Sequence, residues 1–324
     1  MQHYNDEKES KTMSNVFITL DIVDILFSFL NNAEHSCLAL TSQGMANSAH
    51  KKEEYKKTIK LKNDMTKTNF LQFFGTPKLI HKLDLSRCYN FNDITIISNI
   101  TSLRELDINY RYTNLRNIEA LSKLTKLRKL KISSCKLLTD IKGLASLTSL
   151  HTLEISGCCN LKNPEAFTCL SNLRTLKISF TKLGFRDILL NSYMPVPVID
   201  NSQDLKIIGS LINLQTLIIT FCYDLREMKA LAGLINLHTL ELNSCEKLNN
   251  LKVLASFINL QKLKINECDS LRNVTSLISL KNLSTVKFRK CHNLENTDVI
   301  SSIRSLRKIK ISKCRYTDTV IWKI

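Results

Sequence analysis

Eleven cysteines and seven histidines are the residues of this chain that could ligate a metal, exchange disulfides or act as nucleophiles. Their spacing decides among these chemistries. Eight cysteines (Cys88, Cys135, Cys158, Cys222, Cys245, Cys268, Cys291 and Cys314) occupy one position of a repeated unit, and the last five run at intervals of 23 residues. Zinc sites instead cluster their ligands as C-x2–4-C pairs. A disulfide scaffold expects an even number of cysteines in a short secreted chain, not an odd number in 324 residues. Arg111 and Thr181 replace the cysteine in two further units, so no pairing scheme is required. The eight read as a ladder of reduced structural thiols. A small, semi-polar side chain leaves a strand there, enters a turn and can donate a weak S–H bond to a carbonyl. No metal and no cofactor are expected.

Catalytic constellations are equally absent from the pattern. His81, His151 and His238 share one repeat position just before a strand, which marks a tolerant surface column rather than a general base with a positioned partner. No glycine-rich nucleotide loop, P-loop or G-x-S-x-G elbow occurs. Only 7 Gly and 4 Pro in the whole chain disfavour a loop-rich enzyme. The sequence is not expected to be an enzyme.

The elements that carry these residues follow from the repeat itself. Its unit is apolar-x-x-apolar-x-apolar-x-x-Cys, starting at Ile80, Leu103, Leu127, Leu150, Leu173, Leu214, Leu237, Leu260, Leu283 and Leu306. All steps are 23 or 24 residues except one of 41, which marks an insertion. In Leu153-Glu154-Ile155 apolar and polar residues alternate, predicting a short strand with one buried face. Past the cysteine, Leu248, Leu251, Leu254, Phe257 and Leu260 recur every three residues, which fits 3-10 turns or a short, tight helix. One such coil is too small to bury its own apolar face, so stacked coils must share a core. The fold class is an α/β solenoid.

These units, such as Leu150-His-Thr-Leu153-Glu-Ile155-Ser-Gly-Cys158, closely resemble leucine-rich repeats in the version that carries Cys where many families have Asn. The resemblance covers residues 79–324 and implies a horseshoe of about ten coils, with a parallel concave sheet as the recognition face and 3-10 or short-helical segments on the convex side. The units are also similar to those of F-box/leucine-rich-repeat proteins and plant-type resistance receptors.

Outside the repeats, residues 1–14 are charged and expected to be a disordered tail. Residues 15–50 carry a helical pattern, with Ile22, Ile25, Leu26, Phe29 and Leu30 on one face. This region reads either as a cap over the first coil or, through Leu20, Ile22, Ile25, Leu26, Phe29, Leu30, Leu38, Leu40 and Ser42, as a stretch that resembles an F-box. Asp21 stands where that motif has Pro, and its Trp is missing near Met45. The resemblance implies docking to a Skp-type adaptor of a cullin ubiquitin ligase. Residues 51–78 form a charged connector leading into the first coil. An apolar-rich insertion lies at about 184–202, and residues 315–324 read as a C-terminal cap.

The formal charge is +17, and residues 251–324 alone carry 15 basic and 5 acidic side chains. In each strand the residue between the two inward apolar positions points outward. That column ends in Lys264, Lys287 and Lys310, with Lys262, Arg289 and Lys308 flanking it. Three stacked lysines repel one another without a shared anion. An acidic or phosphorylated protein is therefore expected on the C-terminal half of the concave face, beside an apolar patch of Phe180, Ile218 and Phe221. The expected function is a protein–protein recognition scaffold, a ligase adaptor in the F-box reading and a stand-alone solenoid in the other. Nucleic-acid binding ranks last, because interleaved stacking aromatics are missing. Neither a signal peptide nor a membrane span is evident, so an intracellular protein, cytoplasmic or nuclear, is expected.

Overall fold

A computed structural model describes residues 57–60, 80–85, 94–109, 115–158, 160–179, 202–222, 225–314 and 320–323. The chain divides into two compact units, Met1–Tyr55 with Thr68–Thr76 and Lys56–Lys67 with Pro77–Ile324. Every described residue belongs to the second unit. The tail and the F-box-like region, the insertion up to residue 201, Cys88 and Phe180 lie outside the described residues.

Among the described residues, twelve strands form one sheet in strict sequence order. They are β1 (Lys57–Lys60), β2 (Ile80–Asp84), β3 (Glu105–Asn109), β4 (Lys129–Ser133), β5 (Thr152–Ser156), β6 (Thr175–Ser179), β7 (Thr216–Thr220), β8 (Thr239–Asn243), β9 (Lys262–Asn266), β10 (Thr285–Arg289), β11 (Lys308–Ser312) and β12 (Val320–Lys323). The strands of the repeat are β2 to β11, all parallel. Two further strands extend the sheet. From within the charged connector, β1 pairs parallel with β2. At the other end β12 turns back antiparallel on β11, setting Trp322 opposite Ile309.

The return segments are 3-10 turns, as the period of three predicts, for example Lys142–Ser146, Lys252–Ser256 and Thr275–Ser279. One coil differs. After the insertion its return segment is an α-helix, α1 (Ser202–Gly209), packed against the neighbouring coils. Gly209 is required there, because a Cβ would collide with the Ala230 carbonyl.

Each coil feeds a fixed set of side chains into the shared core. In the coil of β8, Leu237, Leu240, Leu242, Cys245, Leu248, Leu251, Leu254 and Phe257 are all fully buried. Burial of a leucine contributes about 1.5–3 kcal/mol, so stacking such a set of side chains in every coil supplies the stability that no single coil has.

Three devices shape each coil and join it to its neighbours. The thiol ladder is the first: Cys135, Cys158, Cys245, Cys268, Cys291 and Cys314 each donate to the carbonyl two residues earlier, at 3.4–3.7 Å. All are buried, and none is in a disulfide. The second is the residue before each cysteine, which takes a left-handed conformation in seven of the described coils (Ser134, Gly157, Phe221, Ser244, Glu267, Lys290 and Lys313). Only one of the seven is glycine, so the coil geometry imposes this turn on residues that resist it. The third is an asparagine ladder. Asn172, Asn213, Asn236, Asn259 and Asn282 each donate a side-chain N–H to a carbonyl of the preceding coil, at 2.8–3.0 Å.

Candidate partner-binding face

The residue column expected to point outward is aligned strand by strand. Asp107, Lys131, Glu154, Lys177, Ile218, Glu241, Lys264, Lys287 and Lys310 lie directly opposite one another across successive strand pairs. Neighbours in such a column are about 4.8 Å apart. The column neutralises itself along most of its length. Lys131 Nζ lies 3.1 Å from Asp107 Oδ2, Lys177 Nζ 2.7 Å from Glu154 Oε1, and Lys264 Nζ 2.9 Å from Glu241 Oε2.

This pairing corrects the expected stack of three bare lysines. Lys264 is satisfied by Glu241, and the unbalanced charge begins at Lys287. From there the column has no acid. The nearby Glu267 is already engaged, accepting from Lys290 Nζ at 2.6 Å and from Ser244 Oγ at 2.9 Å. The Lys290 bond first, then the Ser244 bond, hold its carboxyl below the ordinary range. Among the described residues, Lys262, Lys287, Arg289, Lys308 and Lys310 make no ion pair.

Lys287 sits at the centre of this group. Thr285 is opposite both Lys262 and Lys308, and Lys287 is opposite both Lys264 and Lys310. The pKa of Lys287 is lowered from the usual lysine value, first by burial and then by repulsion from Lys308, Lys264, Lys262 and Lys310. A cation held under those conditions is stabilised by any anion that reaches it.

Ile218 and Phe221 do not lie against this cluster. Ile218 is half-buried in the column between Lys177 and Glu241. The Glu241–Lys264 pair therefore separates it from Lys287, about 14 Å along the sheet. Phe221 is half-buried at the left-handed position just past β7. The column next to the cations is polar: Asn243 donates to Thr220 Oγ1, and Asn266 donates to Asn243 Oδ1.

Two histidines of the shared column have local work, whereas His81 Nδ1 is buried with no hydrogen-bond partner among the described residues. Nδ1 of His151 and of His238 bond the carbonyl two residues earlier, at 2.6 and 2.7 Å. Among the described residues, no three His, Cys, Asp or Glu side chains are grouped to hold a metal, and no helix is long and apolar enough to cross a membrane.

Comparison with known proteins agrees with this geometry. The family description "Leucine Rich repeats (2 copies)" matches residues 101–146. No curated protein matches the sequence. Among solved structures, the chain is similar to a leucine-rich-repeat protein of Leptospira interrogans, with 18% identity, 82% of this chain and 70% of that chain covered, and a TM-score of 0.53. An internalin of Listeria monocytogenes matches at 19% identity over 81% of this chain and 82% of that one, with a TM-score of 0.50. TLR13, solved in complex with ssRNA13, matches at 17% identity and a TM-score of 0.51, over 72% of this chain but 36% of TLR13. At these identities the likeness establishes the fold. The 23-residue coils of this chain are leucine-rich repeats, stacked as a leucine-rich-repeat solenoid.

Proposed function

We propose that this protein is a non-catalytic recognition scaffold that holds an acidic or phosphorylated protein segment on the sheet face formed by β9, β10 and β11. One observation carries the reading. Lys287 is surrounded by four lysines on a face whose acids, Glu241 and Glu267, are already paired. Lys262, Lys287, Arg289, Lys308 and Lys310 are the contacts of this segment, and Lys264 stands beside them, held by Glu241. Ile218 and Phe221 are a separate apolar contact further along the face.

TLR13 was solved with RNA bound, so single-stranded RNA is the competing ligand. Fluorescence anisotropy with a short phosphoserine–glutamate peptide and a single-stranded RNA of matched length tests the choice. Tighter binding of the peptide supports a protein partner. Tighter RNA binding that weakens steeply with salt refutes it.

The finer reading, a substrate adaptor of a cullin-type ubiquitin ligase, is supported by the F-box resemblance of Leu20, Ile22, Ile25, Leu26, Phe29 and Leu30 alone. In that reading the solenoid raises the substrate's effective concentration at the ligase. Co-purification with a Skp-type adaptor, lost on removing residues 1–50, is its expected outcome. A folded full-length chain that retains no such adaptor contradicts it.

A further inference from the structure

Among the described residues, four of the five exposed large apolar side chains fall in consecutive coils: Ile212 (58% exposed), Ile235 (50%), Ile258 (61%) and Ile278 (55%). The first three share one repeat position, two residues before the leucine that starts the strand unit. Asn236, Asn259 and Asn282 bond the carbonyls of Ile212, Ile235 and Ile258, so the three isoleucines stack as a row. The fold does not require isoleucine there. Thr125, Thr148 and Ser171 occupy the same position in earlier coils, and Lys281 and Arg304 in later ones.

A second row runs beside it. Six residues before each isoleucine lies an exposed lysine: Lys206, Lys229 and Lys252. Among the described residues none of the three makes an ion pair. In two of these coils Lys229, Ala232 and Ile235, and Lys252, Ala255 and Ile258, are all exposed, while Met228, Leu231 and Leu234, and Leu251, Leu254 and Phe257, are buried. Lysine and isoleucine therefore stand on the same side of the return segment. Lys206 is the exposed lysine of α1 in the coil before them. Between the two rows are the small residues Gly209, Ala232 and Ala255. Packing explains Gly209, but Ala232 and Ala255 are exposed. The result is a strip with a cationic rim, a shallow floor and an apolar rim.

We infer that this strip, on the return side of the coils and separate from the sheet face, docks an acidic amphipathic helix of about 10 residues. Its carboxylates face the lysine row and its apolar stripe covers the isoleucines. The four coils from Ile212 to Ile278 are separated by three steps of about 4.8 Å, roughly 15 Å in all, and a helix of that length has about 10 residues. Charge selects this occupant over two others. A chain of net +17 repels a second copy of itself. The lysine row is also bounded, by exposed Glu165 in the coil before it and Asp298 beyond it, and these acids oppose a broad anionic lipid surface.

The test uses the full chain and a labelled synthetic peptide of about four helical turns, with leucines on one helical face and glutamates on the other, beside a scrambled peptide of equal composition. The amphipathic peptide binds at least tenfold more tightly than the scrambled one. Ile235→Ser with Ile258→Ser, and separately Lys229→Glu with Lys252→Glu, each weaken it at least tenfold without changing the melting temperature. Ile235→Leu with Ile258→Leu retains binding, and Lys287→Glu with Lys310→Glu leaves it unchanged, which separates this site from the sheet face. Equal affinity for both peptides overturns the inference. So does binding lost only through Lys287 and Lys310, or either a dimer in sedimentation or retention on phosphatidylserine vesicles that the isoleucine variants abolish.

Discussion

Lys264 Nζ lies 2.9 Å from Glu241 Oε2, its neighbour in the outward column one coil earlier. The lysine is 30% exposed and the glutamate 20%, so the pair is partly shielded from water. This one contact sets where the positive face begins. Glu241→Gln releases Lys264 and adds its charge to the cations of the face. An acidic peptide should then bind several-fold more tightly, while stability in urea changes by less than about 1 kcal/mol. Weaker binding by the variant would show that Glu241 itself contacts the ligand.

Burial separates two neighbours on β8. Leu240 is fully buried and Thr239 is partly exposed. Leu240→Ala should cost about 2–5 kcal/mol, through lost burial and the cavity left behind, whereas Thr239→Ala should cost about 0.5 kcal/mol or less. Urea melts of the two variants check this. Equal losses would place the strand register one residue out.

How legible this was depends on which physics writes itself into periodicity. Core positions such as Leu240 and Leu242 recur at a fixed period because burial selects them, so the strands, the 3-10 returns and the thiol ladder follow from spacing. Pairings between coils do not. Glu241 and Lys264 are 23 residues apart, and only adding the stacking register to the column shows that they meet. The asparagine ladder had a signal, the Asn-Leu step in five units, but leucine spacing masked it. The left-handed position before each cysteine gave none, because Phe221, Glu267 and Lys290 are not residues that announce such a backbone. The α-helical return of α1 was likewise hidden, since the insertion interrupts the period ahead of it.

Burial pushes the Cys291 thiol up from 9.0 to about 12, and Cys268 is also pushed up, first by its hydrogen bond with Cys245 and then by burial. A group whose folded pKa is raised stabilises the fold fully below its unfolded value and loses that contribution as pH rises through the folded one. The window for Cys291 is therefore pH 9 to about 12, with a limiting slope of about 1.4 kcal/mol per pH unit for one thiol. Urea midpoints should fall as pH rises through that window, and fall less steeply in Cys291→Ala. Parallel slopes would mean that this thiol does not titrate with unfolding.

Repulsion and burial lower the pKa of Lys287, and an anion bound beside it raises that pKa again. Binding of an acidic peptide should thus take up a proton, and affinity should fall as pH rises through the lowered Lys287 value toward that of an ordinary lysine. Titration calorimetry in buffers of different ionisation enthalpy reads the proton directly. Lys287→Gln should abolish the uptake.

The central claim is that unpaired charge on β10 and β11 recruits an acidic segment. The most direct measurement is the affinity of the phosphoserine–glutamate peptide for the full chain and for Lys287→Glu with Lys310→Glu, each across a salt series. The wild type should bind with an affinity that drops as salt rises, and the double variant should bind at least tenfold more weakly with a flattened salt dependence. Unchanged affinity of the double variant at low salt would contradict the account.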